Sequence, residues 1–97
     1  MDQVIRLTAF YEAIAQDNRI GATHISTYMA LFLIWHYNHF ENPISITRQE
    51  VMHIAKITGR STYHRCIHDL QAYGFIRYVP SFNPCLRSLV YMQQMKV

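Results

Sequence analysis

A mainly α-helical domain that closes on a small β-hairpin is the fold class predicted by this sequence of 97 residues. Three observations predict it. Apolar residues recur at helical spacing through four successive segments. The stretches 75–79 and 86–92 are instead rich in β-branched and aromatic residues, and the PSFNP between them has the composition of a loop. The chain is 51% apolar with 13% aromatic residues, enough to pack a core and too much for a disordered tail.

The first helix is expected over about residues 4 to 16, where Leu7, Phe10, Tyr11 and Ile14 share a face and Arg6 and Glu12 are turned elsewhere. Asp17, Asn18 and Gly21 interrupt the pattern. A second helix follows over residues 23 to 39, with Ile25, Tyr28, Met29, Phe32 and Trp35 on one stripe and Leu31 and Leu33 off it. A helix apolar nearly all round belongs at the centre of a fold or between two chains.

Asn42 and Pro43 stop that helix, and Ile44-Ser45-Ile46 alternates like a very short strand. Thr47 opens a third helix. With Glu50 it forms a capping-box pattern, in which the threonine oxygen accepts a backbone N–H and the glutamate reaches back. Val51, Ile54 and Ala55 give this helix its buried stripe. Thr58-Gly59 reads as a tight turn, with the glycine expected in a left-handed conformation. The fourth helix runs over residues 60 to 73 and Gly74 ends it.

Helix, short strand, helix, turn, helix and hairpin is the order of a winged helix-turn-helix, here carrying an extra N-terminal helix. At this length one hydrophobic core is expected, with residues 1–22 as the added helix and linker and 23–97 as the winged-helix core.

The net charge of +3 is unevenly distributed. Residues 1 to 47 carry two basic and four acidic side chains, and residues 48 to 97 carry seven basic and two acidic ones, giving −2 and +5. A basic partner surface therefore belongs to the C-terminal half.

The fourth helix separates into two faces. Tyr63, Cys66, Ile67 and Leu70 fall on an apolar side, and Arg60, Thr62, His64, Arg65, His68 and Gln71 project mainly from the rest. A recognition helix needs this division, one face docked on the domain and one reaching base edges and phosphates. The start "GRSTYHRCIHDLQAYGFI" resembles the second helix of bacterial winged-helix regulators of the GntR and MarR type, where a Ser-Arg-x-Thr-Val-like start leads to Leu-x-x-Leu and Gly-Leu-Ile. The matching positions are Gly59, Arg60, Thr62, Tyr63, Ile67, Leu70 and Gly74-Phe75-Ile76; Gly59 departs from the usual serine and Tyr63 from a smaller aliphatic residue.

By that resemblance Arg60, Ser61, Thr62, His64 and Arg65 are the first candidates for DNA contact, with His68 further along. Arginine can grip guanine O6 and N7 with two bonds, while Ser61 and Thr62 suit a phosphate or a helix cap. Arg77 and Arg87 on the hairpin, and Arg48 at the start of the third helix, are candidates for flanking phosphates. Most of residues 24 to 92, through "HISTYMALFLIW", "NPISITRQEVM" and "SLVYM", resembles short winged-helix proteins of Bacteroidetes genomes, some near mobile elements. That resemblance implies sequence-specific binding of double-stranded DNA as a transcriptional regulator or mobile-element accessory factor.

Other chemistries have weaker support. His64 and His68 are one turn apart, but Cys66 points to the other face and a structural zinc needs four ligands, so neither a metal nor another cofactor is expected. The acidic residues form no convergent pair, and there is no phosphate loop or nucleophile elbow, so an enzyme is not expected. The alternative is an adaptor in replication or conjugative-transfer machinery that binds protein through Tyr78, Phe82 and Tyr91.

The low charged fraction of 15% and the all-round apolar second helix point to a homodimer through the N-terminal helix and helix 23–39. The opening MDQVIRLTAF lacks the pattern of a secretory signal, and polar residues interrupt the uncharged run 20–40, so a cytoplasmic chain with no membrane span is expected. Cys66 and Cys85, beside Pro84 in a turn, are expected as reduced thiols.

Overall fold

The computed structural model describes residues 2–81 and 87–93. Within them the order is α1 (Asp2–Ala15), α2 (Ala22–Tyr37), β1 (Ile44–Ile46), α3 (Arg48–Ala55), α4 (Arg60–Ala72), β2 (Ile76–Val79) and β3 (Ser88–Met92). The three strands form an antiparallel sheet in the order β1-β3-β2. This is a winged helix-turn-helix preceded by one extra helix.

The sheet is held by alternation. Ile44 and Ile46 point inward on either side of exposed Ser45, and Ile44 pairs with Val90 of β3. On the other side of β3, Ile76 pairs with Met92 and Tyr78 with Val90. Asn42 prolongs the β1–β3 ladder with its side chain: its Nδ2 donates to the Met92 carbonyl at 3.0 Å and its Oδ1 accepts from the Met92 N–H at 2.9 Å.

The core lies between α2, α3, α4 and the inner face of the sheet, and includes Leu31, Trp35, Val51, Tyr63, Ile67, Leu70 and Val90. Burying each such aliphatic side chain contributes roughly 1.5–3 kcal/mol. The all-round apolar character of α2 is largely accounted for inside the chain, because its Tyr28, Leu31, Phe32 and Trp35 are all buried. Only Leu33 and Tyr37 remain as large exposed apolar residues on it.

Two details of α1 differ from the sequence reading. Arg6 is turned inward, with its guanidinium 4.8 Å from the centre of the Trp35 ring, whereas Tyr11 faces solvent. The helix is anchored by Phe10, fully buried, which stacks on Tyr28 and meets Phe75 edge-on. A cation over an indole face is favourable, so arginine occupies a place that hydrophobicity alone gives to tyrosine.

The turn between α3 and α4 also differs. Gly59 is extended (φ −91°, ψ 125°) and is the N-cap of α4; the left-handed residue is Lys56 (φ 62°, ψ 38°). The Ile57 N–H bonds back to the Met52 carbonyl at 3.0 Å, the closing bond of a Schellman end to α3. That closure tucks Ile57 into the core, and its burial offsets the strain at Lys56. Gly74, in contrast, does have positive φ (88°) after α4.

Half of the expected capping box forms. Thr47 Oγ1 accepts from the Glu50 N–H at 3.2 Å, but the Glu50 carboxylate turns to Arg87 instead of reaching back. Cys66 is a buried free thiol. Phe82, Pro84 and Cys85 lie outside the described residues. Among the described residues, no helix is long and apolar enough to cross a membrane.

Candidate nucleic-acid interface

Helix α4 is oriented by its apolar face. Tyr63, Cys66, Ile67 and Leu70 are buried, and the same rotation leaves Arg60, Ser61, His64, Arg65 and His68 exposed, with Thr62 half-buried. The division expected from the sequence is present residue by residue. Neither Ser61 nor Thr62 makes a side-chain hydrogen bond among the described residues, and Gly59 supplies no side-chain cap. The first amides of α4 and both hydroxyls are thus open to an external acceptor.

Two contacts fix this helix in place, and a third holds the end of α3. Its Asp69 accepts from His24 Nε2 at 2.8 Å, and the other ring nitrogen, Nδ1, accepts from the Gly21 N–H at 3.0 Å. An amide can donate only to an unprotonated nitrogen, so His24 is the neutral tautomer carrying its proton on Nε2. Gln71 Oε1 accepts from the Tyr78 N–H at 2.6 Å, joining α4 to the start of the hairpin. The Ser26 hydroxyl donates to the Ala55 carbonyl, holding the end of α3 against α2.

The hairpin arginines differ from the helix arginines. Arg87 donates from Nε to Ser45 Oγ at 2.9 Å and from one terminal nitrogen to both Glu50 oxygens at 3.1 and 2.9 Å, so it ties β3, β1 and α3 together. Arg77 lies 4.9 Å from the centre of the Tyr91 ring, its cross-strand neighbour. Arg6 is over Trp35, and Arg19 is paired with Asp17 at 2.6 Å and stacked 3.8 Å over Tyr73. Arg48, Lys56, Arg60 and Arg65 remain. Among the described residues, these four alone of the lysines and arginines have no hydrogen bond, ion pair or ring contact. All four belong to α3, the turn and α4.

A cleft of about 350 Å³ lies beside α4, between it, the start of α3 and the hairpin. Thr47, Arg48, Tyr63, His64 and Ser88 are among its lining residues. Partial desolvation lowers the His64 imidazole from its ordinary value, helped by the charges of Arg48, His68 and Arg60. His68 meets the Tyr78 ring edge-on at 6.2 Å, so it sits toward the hairpin, away from the first turn.

The residues named for an adaptor surface are partly engaged. Tyr78 is half-buried, with its hydroxyl 3.4 Å from Ser88 Oγ, and Tyr91 is half-buried beneath Arg77. Among the described residues, no group of three or more His, Cys, Asp or Glu side chains is placed to share a metal ion.

His24 is a residue that the sequence pattern does not single out. Its partner is 45 residues away, and only the Gly21-x-x-His24 spacing at a helix start signals its capping role. Comparison with protein-family models, curated proteins and solved structures finds no match for this chain.

Proposed function

We propose that the chain binds double-stranded DNA, with α4 entering the major groove and the hairpin lying alongside, in the service of transcriptional regulation or of a mobile element. The observation that carries this reading is the set of unpartnered cations. Elsewhere among the described residues each arginine is neutralised or stacked, and on the helix-turn-helix Arg48, Lys56, Arg60 and Arg65 are held ready for a partner. The acidic residue on α4, Asp69, is engaged by His24 of α2. Phosphates supply the sequence-independent part of such binding and the exposed arginines the base-reading part.

The proposal includes a second copy of the chain. Among the described residues, Val4, Ile5 and Tyr11 on α1 and Leu33 and Tyr37 on α2 are the large exposed apolar residues, all off the helix-turn-helix. Val4, Leu7, Tyr11 and Ala15 line a shallow apolar groove on α1 that holds one charged residue, Glu12. A two-fold pairing through the α1 groove covers apolar surface and uses no residue of α3 or α4, which a dimer reading a palindrome needs to keep free. Light scattering checks it: a dimer mass that Tyr11→Glu reduces to a monomer is expected, and a monomer mass for the wild type at micromolar concentration removes the second copy.

The test of DNA binding is fluorescence anisotropy of the protein against a labelled mixed-sequence duplex over a range of salt, beside an Arg60→Ala/Arg65→Ala double variant. The wild type is expected to bind with a steep salt dependence and the variant to lose most of it. Silence of both at low salt moves the assignment to a protein-binding role.

A further inference from the structure

Tyr63 stands out on α4. It is only 2% exposed, it lines the cleft between α3, α4 and the hairpin, and its hydroxyl has no hydrogen-bond partner among the described residues. The ring is enclosed and the hydroxyl keeps an opening to the cleft, from which a ligand can reach it. The groups around it are nearly all donors. The N–H groups of Arg48 and Gln49, the first two of α3, have no acceptor, because Thr47 serves only those of Glu50 and Val51. Arg48 contributes its uncommitted guanidinium, and Ser88 and His64 lie on the opposite side. The acidic residue of α3, Glu50, is paired with Arg87.

We infer that this cleft is a binding site for a phosphate group, monoester or diester, with the α3 amides, the Arg48 side chain and the Tyr63 hydroxyl as its donors. The inference deepens the DNA reading, and rests on it in one respect: a backbone phosphate is the occupant when a duplex is bound. A helix N-terminus gives the field and two aligned amides, a planar cation gives charge, and the phenol supplies a third direction of approach.

The facing groups also supply a reporter. His64 is surrounded by Arg48 on α3 and by Arg60 and His68 on its own helix, with Tyr78 and the Arg87–Glu50 pair along the hairpin side. A bound phosphate offsets the cationic surroundings, so the titration midpoint of His64 moves up when the site fills.

The experiment is an NMR titration of the full chain with inorganic phosphate, with dimethyl phosphate and separately with a short mixed-sequence duplex, at fixed ionic strength. Saturable shifts of the Arg48 and Gln49 amides, a rise of the His64 midpoint, and at least roughly tenfold weaker binding by Tyr63→Phe are expected, the change that one hydrogen bond to a charged group carries. Because the hydroxyl bonds nothing among the described residues, Tyr63→Phe is expected to keep the fold, which its amide spectrum verifies.

If phosphate and duplex move the same amides, the occupant is the DNA backbone. If phosphate does and the duplex does not, the site serves free phosphorylated molecules and the DNA reading fails. Duplex binding without any phosphate response at these amides, or an unchanged Tyr63→Phe, overturns the inference while the DNA reading stands.

Discussion

His24 and Asp69 meet at 2.8 Å and join the first turn of α2 to the last turn of the candidate recognition helix. The imidazole is buried, and its second nitrogen caps Gly21, so one side chain closes a helix start and positions a second helix.

Removing that side chain is therefore expected to cost more than one hydrogen bond. His24→Ala should lower unfolding stability by about 2 kcal/mol, since it strands the Gly21 amide and a partly buried carboxylate together. Asp69→Asn keeps an acceptor for Nε2–H and should cost less than about 1 kcal/mol. Urea midpoints for the two variants decide the matter; equal losses would mean that charge, and not the shared geometry, holds the helices.

The two glycines flanking α4 should respond in opposite directions. Gly74 has φ 88°, so Gly74→Ala is expected to lose about 1 kcal/mol despite open space around the added methyl group. Gly59 is extended, and a Cβ there meets Thr62 Oγ1 at 3.4 Å, an ordinary contact. Gly59→Ser supplies the missing cap and restricts the unfolded chain, for a gain of about 0.5–1 kcal/mol. Thermal melts of both variants provide the check.

Alkaline pH should unfold the protein through two phenols. Burial pushes Tyr28 and Tyr63 up to about 12, against 10 for an unfolded tyrosine. A raised acid pKa means that the neutral form is favoured in the fold, so the stabilisation is complete below pH 10 and is lost as pH climbs from 10 through 12. Each contributes on the order of 2 kcal/mol over that window. Phenolate absorbance recorded beside circular dichroism should show the last two tyrosines ionising as the helices melt. Complete ionisation with the helices intact would contradict the burial of these rings.

Arg87 and Arg60 should separate stability from binding. Arg87 is occupied by Ser45 and Glu50, so Arg87→Ala is expected to lower stability by about 0.5–1 kcal/mol, a modest figure because both partners are partly exposed. Its effect on duplex affinity should be smaller than that of Arg60→Ala, which should leave stability nearly unchanged. A double-mutant cycle with Glu50→Gln isolates the pair.

The order of elements was legible because each is announced locally. Periodicity marks the helices, Thr47 and Gly74 mark two of their ends, and Ile44-Ser45-Ile46 alternates as its strand does. The two faces of α4 follow from the same periodicity. The pairing decisions between distant segments were not legible: Glu50 chooses Arg87 over its own helix end, and Arg6 chooses the Trp35 face over solvent. Both choices depend on what the fold brings near, 37 residues away in the first case. The left-handed residue was misplaced for a related reason, since the buried Ile57, and not glycine chemistry, dictates where the turn bends.

The arrangement of unpartnered cations also bears on kinetics. Arg48, Lys56, Arg60 and Arg65 all lie on α3, α4 and the turn between them, and the acidic Glu12 and Glu41 are exposed on and after the helices outside that motif. Such a separation makes the chain an electric dipole, which turns in the field of a polyanion before contact. Collisions then arrive basic side first, so added salt should slow association more than it hastens departure, and a variant with reversed charge on α1 should alter capture speed without touching any bound contact.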